Sequence, residues 1–320
     1  MTRRIVLAYT GSLQTSMAIR ALAEVDGSEV VTVTLDLGQG RDLEEVRDRA
    51  LATGAARAHV LDVREEFARD FVLPALRAGA LHEGRHPMGE ALAWPLIATK
   101  LVGMASVERA AAVAHGCSAR DQERIKTCVA ALDPVVHVIA AGCQDVAQRA
   151  HANLWGRAHA VIAPRVEAPD RPAYIEIAFE NGVPAGINGV PMPLIELIES
   201  LSVIAGQHGV GWIEVGRRES GAPGDCEYEA PAAVVLHAAR AALDAAVLPA
   251  DLLRRKQDRA IAYAHLVNEG LWFTEGRETM DALNGQMEEK VTGTVRITLF
   301  KGTLVTSEVI GVGQAEVTRT

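Results

Sequence analysis

Short β-branched runs alternate with helical stretches through the first part of the chain, roughly one pair every thirty residues, which is the repeat of a βαβ unit. Ile5-Val6-Leu7-Ala8-Tyr9 is closed by Thr10-Gly11-Ser12, and a helical pattern starts near Thr15 with Met17, Ala18, Leu22 and Val25 on one face. A second run, Val30 to Leu35, ends at Gly38-Gln39-Gly40. Asp42, Glu44 and Glu45 then place negative charge where a new helix would begin, at the positive end of its dipole. Ala58 to Val63 is the third run. Strand and helix alternating at this spacing make a βαβ series on a parallel sheet with right-handed crossovers. Further helices are predicted over 65–78 and 89–110, and further strands over 112–116 and 135–140.

Near residue 150 the texture changes. Pro164, Pro169, Pro172 and Pro184 punctuate a section in which Ala173 to Phe179 reads as a strand and Asn181-Gly182 as a hairpin turn. Helices are predicted over 193–206, 230–245 and 252–270, and a closing strand pair over 293–300 and 304–310 around Lys301-Gly302-Thr303. The fold class expected is α/β: a parallel-sheet nucleotide-binding domain over 1–150, followed by an α+β substrate and oligomerisation domain over 151–320.

Of the 320 residues, 49% are hydrophobic and 23% charged, which excludes a disordered or low-complexity chain. The net charge of −9 argues against nucleic acid as the main partner and for a small molecule. Cys117, Cys128, Cys143 and Cys226 show neither CxxC spacing nor a disulfide framework, so free thiols in a reducing cytoplasm are expected. The opening apolar run is too short for a signal core, and no apolar stretch of about eighteen residues is read, so a cytoplasmic protein without a membrane span is expected.

The segment Ala8-Tyr9-Thr10-Gly11-Ser12-Leu13-Gln14-Thr15-Ser16 joins a buried strand to a helix. Gly11 permits a tight turn, four hydroxyls offer donors, and the helix N-terminus offers a positive dipole. Together these suit phosphate. The segment is neither a Walker loop nor a dinucleotide fingerprint, and a plain strand–helix turn stays open on chemistry alone.

This loop resembles the A-Y-S-G-G-L-D-T-S loop of the argininosuccinate synthase family, within the PP-loop ATP pyrophosphatases. The resemblance continues through Asp36-Leu37-Gly38-Gln39-Gly40, Pro74 to Gly89, Ala114-His115-Gly116-Cys117, Asn153-Leu154-Trp155-Gly156-Arg157, Ile204 to Gly211, Tyr228-Glu229-Ala230-Pro231-Ala232, Gly270-Leu271-Trp272-Phe273 and Val291 to Val295, in the family's order. It implies ATP at Ala8 to Ser16, Leu35 and Gly116, with Mg2+ bridging phosphate oxygens and no protein metal site. It also implies an amino-acid-like substrate, aspartate among the candidates. The implied reaction adenylates a ureido oxygen, releases pyrophosphate and lets an amine displace AMP.

Several positions depart from the family's pattern. Ser12 stands for its second glycine and Gln14 for its aspartate, which removes a carboxylate and places a Cβ where a pyrophosphate would approach. Gly89-Glu90-Ala91-Leu92-Ala93-Trp94-Pro95 stands for G-T-[SA]-L-A-R-P, so Trp94 puts a flat apolar surface where an arginine contributes to the citrulline pocket. His82 and His86 stand for two tyrosines, with ordinary packed or surface histidines as the other reading. In the loop after Gly116, Ser118, Asp121, Gln122 and Arg124 match the family's threonine, aspartate, glutamine and arginine. Arg120 replaces an asparagine there and Lys126 a glutamate; a solvated charged helix start is the competing reading. Ala158 replaces a serine, Gly216 falls where a substrate-binding glutamate belongs, and Tyr228 is retained. Family segments between Ala141 and Asn153 and after Ile310 are absent from this sequence, and the second of these leads us to expect a homo-oligomer smaller than the family's tetramer, a dimer.

Three readings follow. The first is an AMP-forming carbon–nitrogen ligase with a substrate altered from citrulline. The second is an authentic argininosuccinate synthase. The third is an inactive homologue that binds a nucleotide, metabolite or protein. RNA thiolation is disfavoured by the net charge of −9.

Overall fold

The computed structural model describes residues 3–40, 42–117, 119–141, 153–156, 162–214 and 227–312, without the side chains of residues 25, 26, 119, 120, 214 and 227. The chain forms two compact units. The first takes residues 1–67, 90–151 and 266–274, and the second takes 68–89, 152–265 and 275–320.

In the first unit, five strands form one parallel sheet: β1 (Arg4–Ala8), β2 (Glu29–Asp36), β3 (Arg57–Asp62), β4 (Ala112–His115) and β5 (His137–Ala140). Their order is β3-β2-β1-β4-β5. Helices α1 (Leu13–Asp26) and α2 (Leu43–Thr53) follow the first two strands. A short helix, α3 (Arg64–Phe67), follows the third. Ser12 caps α1, Asp42 accepts from the Glu44 and Glu45 amides to cap α2, and Gly27 and Gly54 end these helices in the left-handed conformation. The βαβ pattern read from the sequence is therefore present, and the fold class is α/β.

One face of the sheet is covered by Ile19, Leu22, Val46 and Ala50. The other carries Val6, Val31 and Val33 against Trp94, Ala98, Leu101 and Ala105 of α5 (Gly89–Glu108) and against Ile125, Cys128 and Val129 of α6 (Ala119–Leu132). Among the described residues, α5 is the one helix long and apolar enough to cross a membrane by length and composition. The expectation that no such stretch exists is corrected on that point. Half of the stretch is buried, against the sheet, and that packing accounts for its apolarity. Cys117 and Cys128 are buried free thiols, as expected, and burial pushes Cys128 up to about 12; Cys143 and Cys226 lie outside the described residues.

In the second unit, a π-helical turn over Ala68–Val72 leads into α4 (Leu73–Ala78), so the predicted helix over 65–78 is one path with a wider turn inside it. An antiparallel sheet in the order β12-β11-β6-β7-β8 joins β6 (Ala173–Glu180), β7 (Val183–Ile187), β8 (Val190–Pro191), β11 (Gly293–Phe300) and β12 (Thr303–Ile310). Helices α7 (Leu194–Gln207), α8 (Pro231–Val247), α9 (Ala250–Asn268) and α10 (Glu275–Glu288) complete the chain order. The sequence reading missed α10, whose polar composition shows no broad apolar stripe, and the short pair β9 (Trp212–Glu214) and β10 (Glu227–Glu229).

Four buried charges tie α8, α9 and α10 together. Arg240 donates to Asp244 at 2.9 Å, to Glu288 at 2.7 Å and to the Gly182 carbonyl at 3.1 Å, and Lys256 donates to the second Asp244 oxygen. Removing one partner leaves an uncompensated buried charge, which costs far more than the intact pair contributes. Asp244→Ala is expected to destabilise the protein by about 3–5 kcal/mol in urea unfolding, against less than about 1 kcal/mol for the exposed pair partner Glu123→Ala.

Candidate functional site

The first unit concentrates chemistry where β1 and β4 end. In the order β3-β2-β1-β4-β5 the chain leaves β1 toward one side and later crosses to the other, so the crevice beyond the carboxyl ends of β1 and β4 is the switch point where α/β sheets bind ligands. Gly11 turns the chain there with φ +72°, and a Cβ on it would stand 3.0 and 3.1 Å from the Val46 methyls. Arg49 fixes the turn from α2 by donating to the Gly11 carbonyl at 2.8 Å.

Five side-chain oxygens then gather in two hydrogen-bonded groups. Thr10 Oγ1 donates to Ser12 Oγ at 3.1 Å, Ser12 and Thr15 hydroxyls lie 3.0 Å apart, and Tyr9 Oη lies 2.8 Å from Ser16 Oγ. Ser12 Oγ also accepts the Thr15 amide at 3.2 Å and so caps α1. Ser12 has φ −73° and ψ 159°, ordinary extended backbone, so its position makes no demand for glycine. Gly116 closes the far side, and a Cβ there would meet the Thr15 methyl at 3.3 Å and the Ala141 carbonyl at 3.5 Å. Leu35 ends β2 at the same edge of the sheet, its carbonyl accepting from Gln39 Nε2 at 2.7 Å. Leu13 is exposed in the first turn of α1, with Gln14 half-buried beside it.

Behind Gly116, His115 Nδ1 lies 2.7 Å from Cys117 Sγ. Burial, reinforced by Lys126, pushes this imidazole down to about 4.

The structure buries Trp94, at 2% exposure, inside the sheet core. The indole that was expected to offer a flat surface to a ligand thus lies on an inward-facing helix position, packed in the core. Its Nε1 donates to Asp121 Oδ1 at 3.1 Å, and the same oxygen accepts from Arg124 at 2.7 Å. Arg124 also donates to the Asn268 carbonyl at 2.6 Å and to Asn268 Oδ1 at 2.8 Å. Asp121 and Arg124 are thus buried, while Glu123 and Lys126 pair outside at 3.0 Å, so only the outer half of this helix start is a solvated charged face. Ala91 is buried as well. Asn268 escaped sequence reading, because nothing in its neighbourhood signals a partner so distant in the chain.

The second unit holds the other expected substrate contacts. His82 and His86 exchange two backbone hydrogen bonds of 2.9 Å across a tight loop. His86 is buried, its Nε2 lies 3.6 Å from Glu83, and burial, reinforced by Arg85, lowers its pKa. Tyr228 lies on β10, and a Cβ on Gly156 would stand 3.3 Å from its ring. Ser118, Ala158, Gly216 and the side chain of Arg120 lie outside the described residues.

Two outcomes follow from this geometry. Gly11→Ala forces a left-handed alanine against Val46 and is expected to lower stability by about 1–2 kcal/mol in thermal or urea unfolding. His115 also makes stability depend on pH. The unfolded imidazole takes up a proton near its ordinary value of 6.5, while the folded one resists until about 4. The stabilisation is therefore complete above the unfolded value and is lost as pH falls through that window, amounting to about 2 kcal/mol at pH 5. Between pH 7 and pH 5, wild type is expected to lose about that much more stability than His115→Gln.

Comparison with known proteins agrees with the geometry. The chain matches the arginosuccinate synthase N-terminal HUP domain over residues 4–162 and the arginosuccinate synthase C-terminal domain over residues 143–311. It is 40% identical to an argininosuccinate synthase of Symbiobacterium thermophilum, covering 94% of this chain and 86% of the relative. To those of Desulforamulus reducens and Oleidesulfovibrio alaskensis it is 37% and 38% identical, covering 94% and 95% of this chain and 86% and 87% of the relatives. Ordered similarity of this extent over both units shows common descent: the chain belongs to the argininosuccinate synthase family.

Proposed function

We propose that the chain is an ATP-dependent, AMP-forming carbon–nitrogen ligase, and that it joins citrulline to aspartate. The observation that carries this reading is the hydroxyl-lined turn of Thr10, Gly11, Ser12, Thr15 and Ser16 at the β1–β4 switch point. It agrees with relatives named argininosuccinate synthase at 36–40% identity. The site fits a triphosphate. Hydroxyls and the N-terminus of α1 suit phosphate oxygens, and Gly11, in the left-handed conformation, turns the backbone tightly into that helix start. Ala8, Tyr9 and Leu35 would flank the nucleoside.

ATP bound there supplies the adenylyl group that turns a ureido oxygen into a leaving group. The chain's own part is positioning and charge stabilisation, because the hydroxyls are held by one another before any ligand arrives. Among the described residues no group of three His, Cys, Asp or Glu side chains forms a metal cage, and position 14 is glutamine. Mg2+ would therefore enter on the phosphates and be held chiefly by them.

One observation favours a second reading, in which the acceptor differs from citrulline. Trp94 lies in the core where the family's pattern has arginine, and Asp121 and Arg124 are engaged with Trp94, Asn268 and each other. A buried carboxylate and guanidinium that already satisfy one another offer less to an amino-acid substrate than free ones. Purified protein incubated with labelled ATP, Mg2+, citrulline and aspartate is expected to yield AMP, pyrophosphate and argininosuccinate. A rate equal to the no-enzyme control removes the first reading. AMP release with another ureido or carboxylate acceptor then establishes the second, and calorimetry without any nucleotide binding removes both.

A further inference from the structure

We propose that Asn153 and Trp155 are positioning residues for the acceptor subsite, acting through the Pro87–Met88–Gly89 turn that carries His86. This deepens the ligase reading above and rests on it.

The loop that must be held is one the backbone resists. Glu83 and Met88 both adopt left-handed φ, 53° and 57°, without being glycine, so the path between them needs outside support. The support comes from one four-residue segment. Asn153 Nδ2 donates to the Gly89 carbonyl at 2.8 Å, and Trp155 Nε1 donates to the Pro87 carbonyl at 3.1 Å. Two of the three turn carbonyls are thus gripped by side chains. The grip is itself held rigid. Asn153 Oδ1 accepts the Trp155 and Gly156 amides, both at 2.9 Å, and the Asn153 amide donates to the Gly156 carbonyl at 2.9 Å.

The fit is close. A Cβ on Gly89 would stand 3.2 Å from both Asn153 Oδ1 and the Gly156 amide, so the turn backbone lies directly on the clamp. Behind it, the Trp155 ring meets His237 of α8, with centroids 5.8 Å apart and planes tilted by 58°. Burial holds His237 down near 3, so the ring behind Trp155 is neutral. The turn is therefore referred to a helix, which is a firmer reference than another loop. Its cargo is unusual too: His86 is 5% exposed, and its Nδ1 has no hydrogen-bond partner among the described residues. A buried ring nitrogen left over in this way asks for a ligand or a water.

Trp155→Phe keeps an aromatic ring against His237 and deletes the donor to Pro87. Asn153→Ser shortens the donor to Gly89. We measure KM for citrulline, aspartate and ATP, the melting temperature, and amide exchange over residues 82–93. The expected result is an increase of about tenfold in KM for citrulline, with KM for ATP within about twofold of wild type. Faster exchange confined to 82–93 and a melting temperature within a few degrees of wild type are expected with it. Parallel change in the two KM values, or exchange raised throughout the second unit, would show a merely structural role and overturn the proposal. Unchanged exchange over 82–93 in both variants overturns it as well. A wild type inactive on citrulline sinks the reaction reading separately, and the exchange measurement still decides whether the clamp exists.

Discussion

The first unit depends on a reversal completed in four residues. The central strand β1 must stop, turn and enter a helix at the place where its neighbours β2 and β4 also end. A left-handed glycine makes the turn, and the next residue reaches forward with its hydroxyl to satisfy the helix start. Val46 and Arg49 of the following helix then pack against and hydrogen-bond to that turn. The hydroxyls of Thr10, Ser12 and Thr15 hydrogen-bond one another there, which fixes them at the sheet's carboxyl edge.

At one position where the chain departs from its family's pattern, the replacing side chain lies inside the core. An arginine in a substrate pocket is balanced by the charge it binds. The tryptophan at that helix position is packed in the sheet core. Its indole hydrogen then falls to Asp121, which shares an oxygen with Arg124, and Arg124 is in turn anchored by Asn268. Trp94, Asp121, Arg124 and Asn268 thus form one internal chain of hydrogen bonds. The framework is held by apolar packing, while specificity sits on a few polar side chains whose partners can change.

The second unit uses polar groups differently. Arg240, Asp244, Lys256 and Glu288 sit among three helices, with charges of both signs in balance. Such a cluster fixes how the helices meet more than how strongly they adhere. The Asn153–Trp155 segment follows the same logic at loop scale, since directional hydrogen bonds define a turn that apolar contact would leave loose.

The strands of the parallel sheet, the helix opened at Asp42 and the closing hairpin around Gly302 were legible from local pattern, whereas the first helix, expected near Thr15, begins at Leu13 behind a Ser12 cap. Periodicity, capping and turn chemistry act within a few residues, so the chain carries them in plain order. The inward placement of Trp94, the Asn268 partner of Arg124, the helix Glu275–Glu288 and the buried four-charge cluster were not legible. Each joins residues far apart in the chain, or depends on which face of a helix meets a neighbour. Local propensity is silent there, and burial, which sets the strength of every charge pair, exists only once the chain has folded.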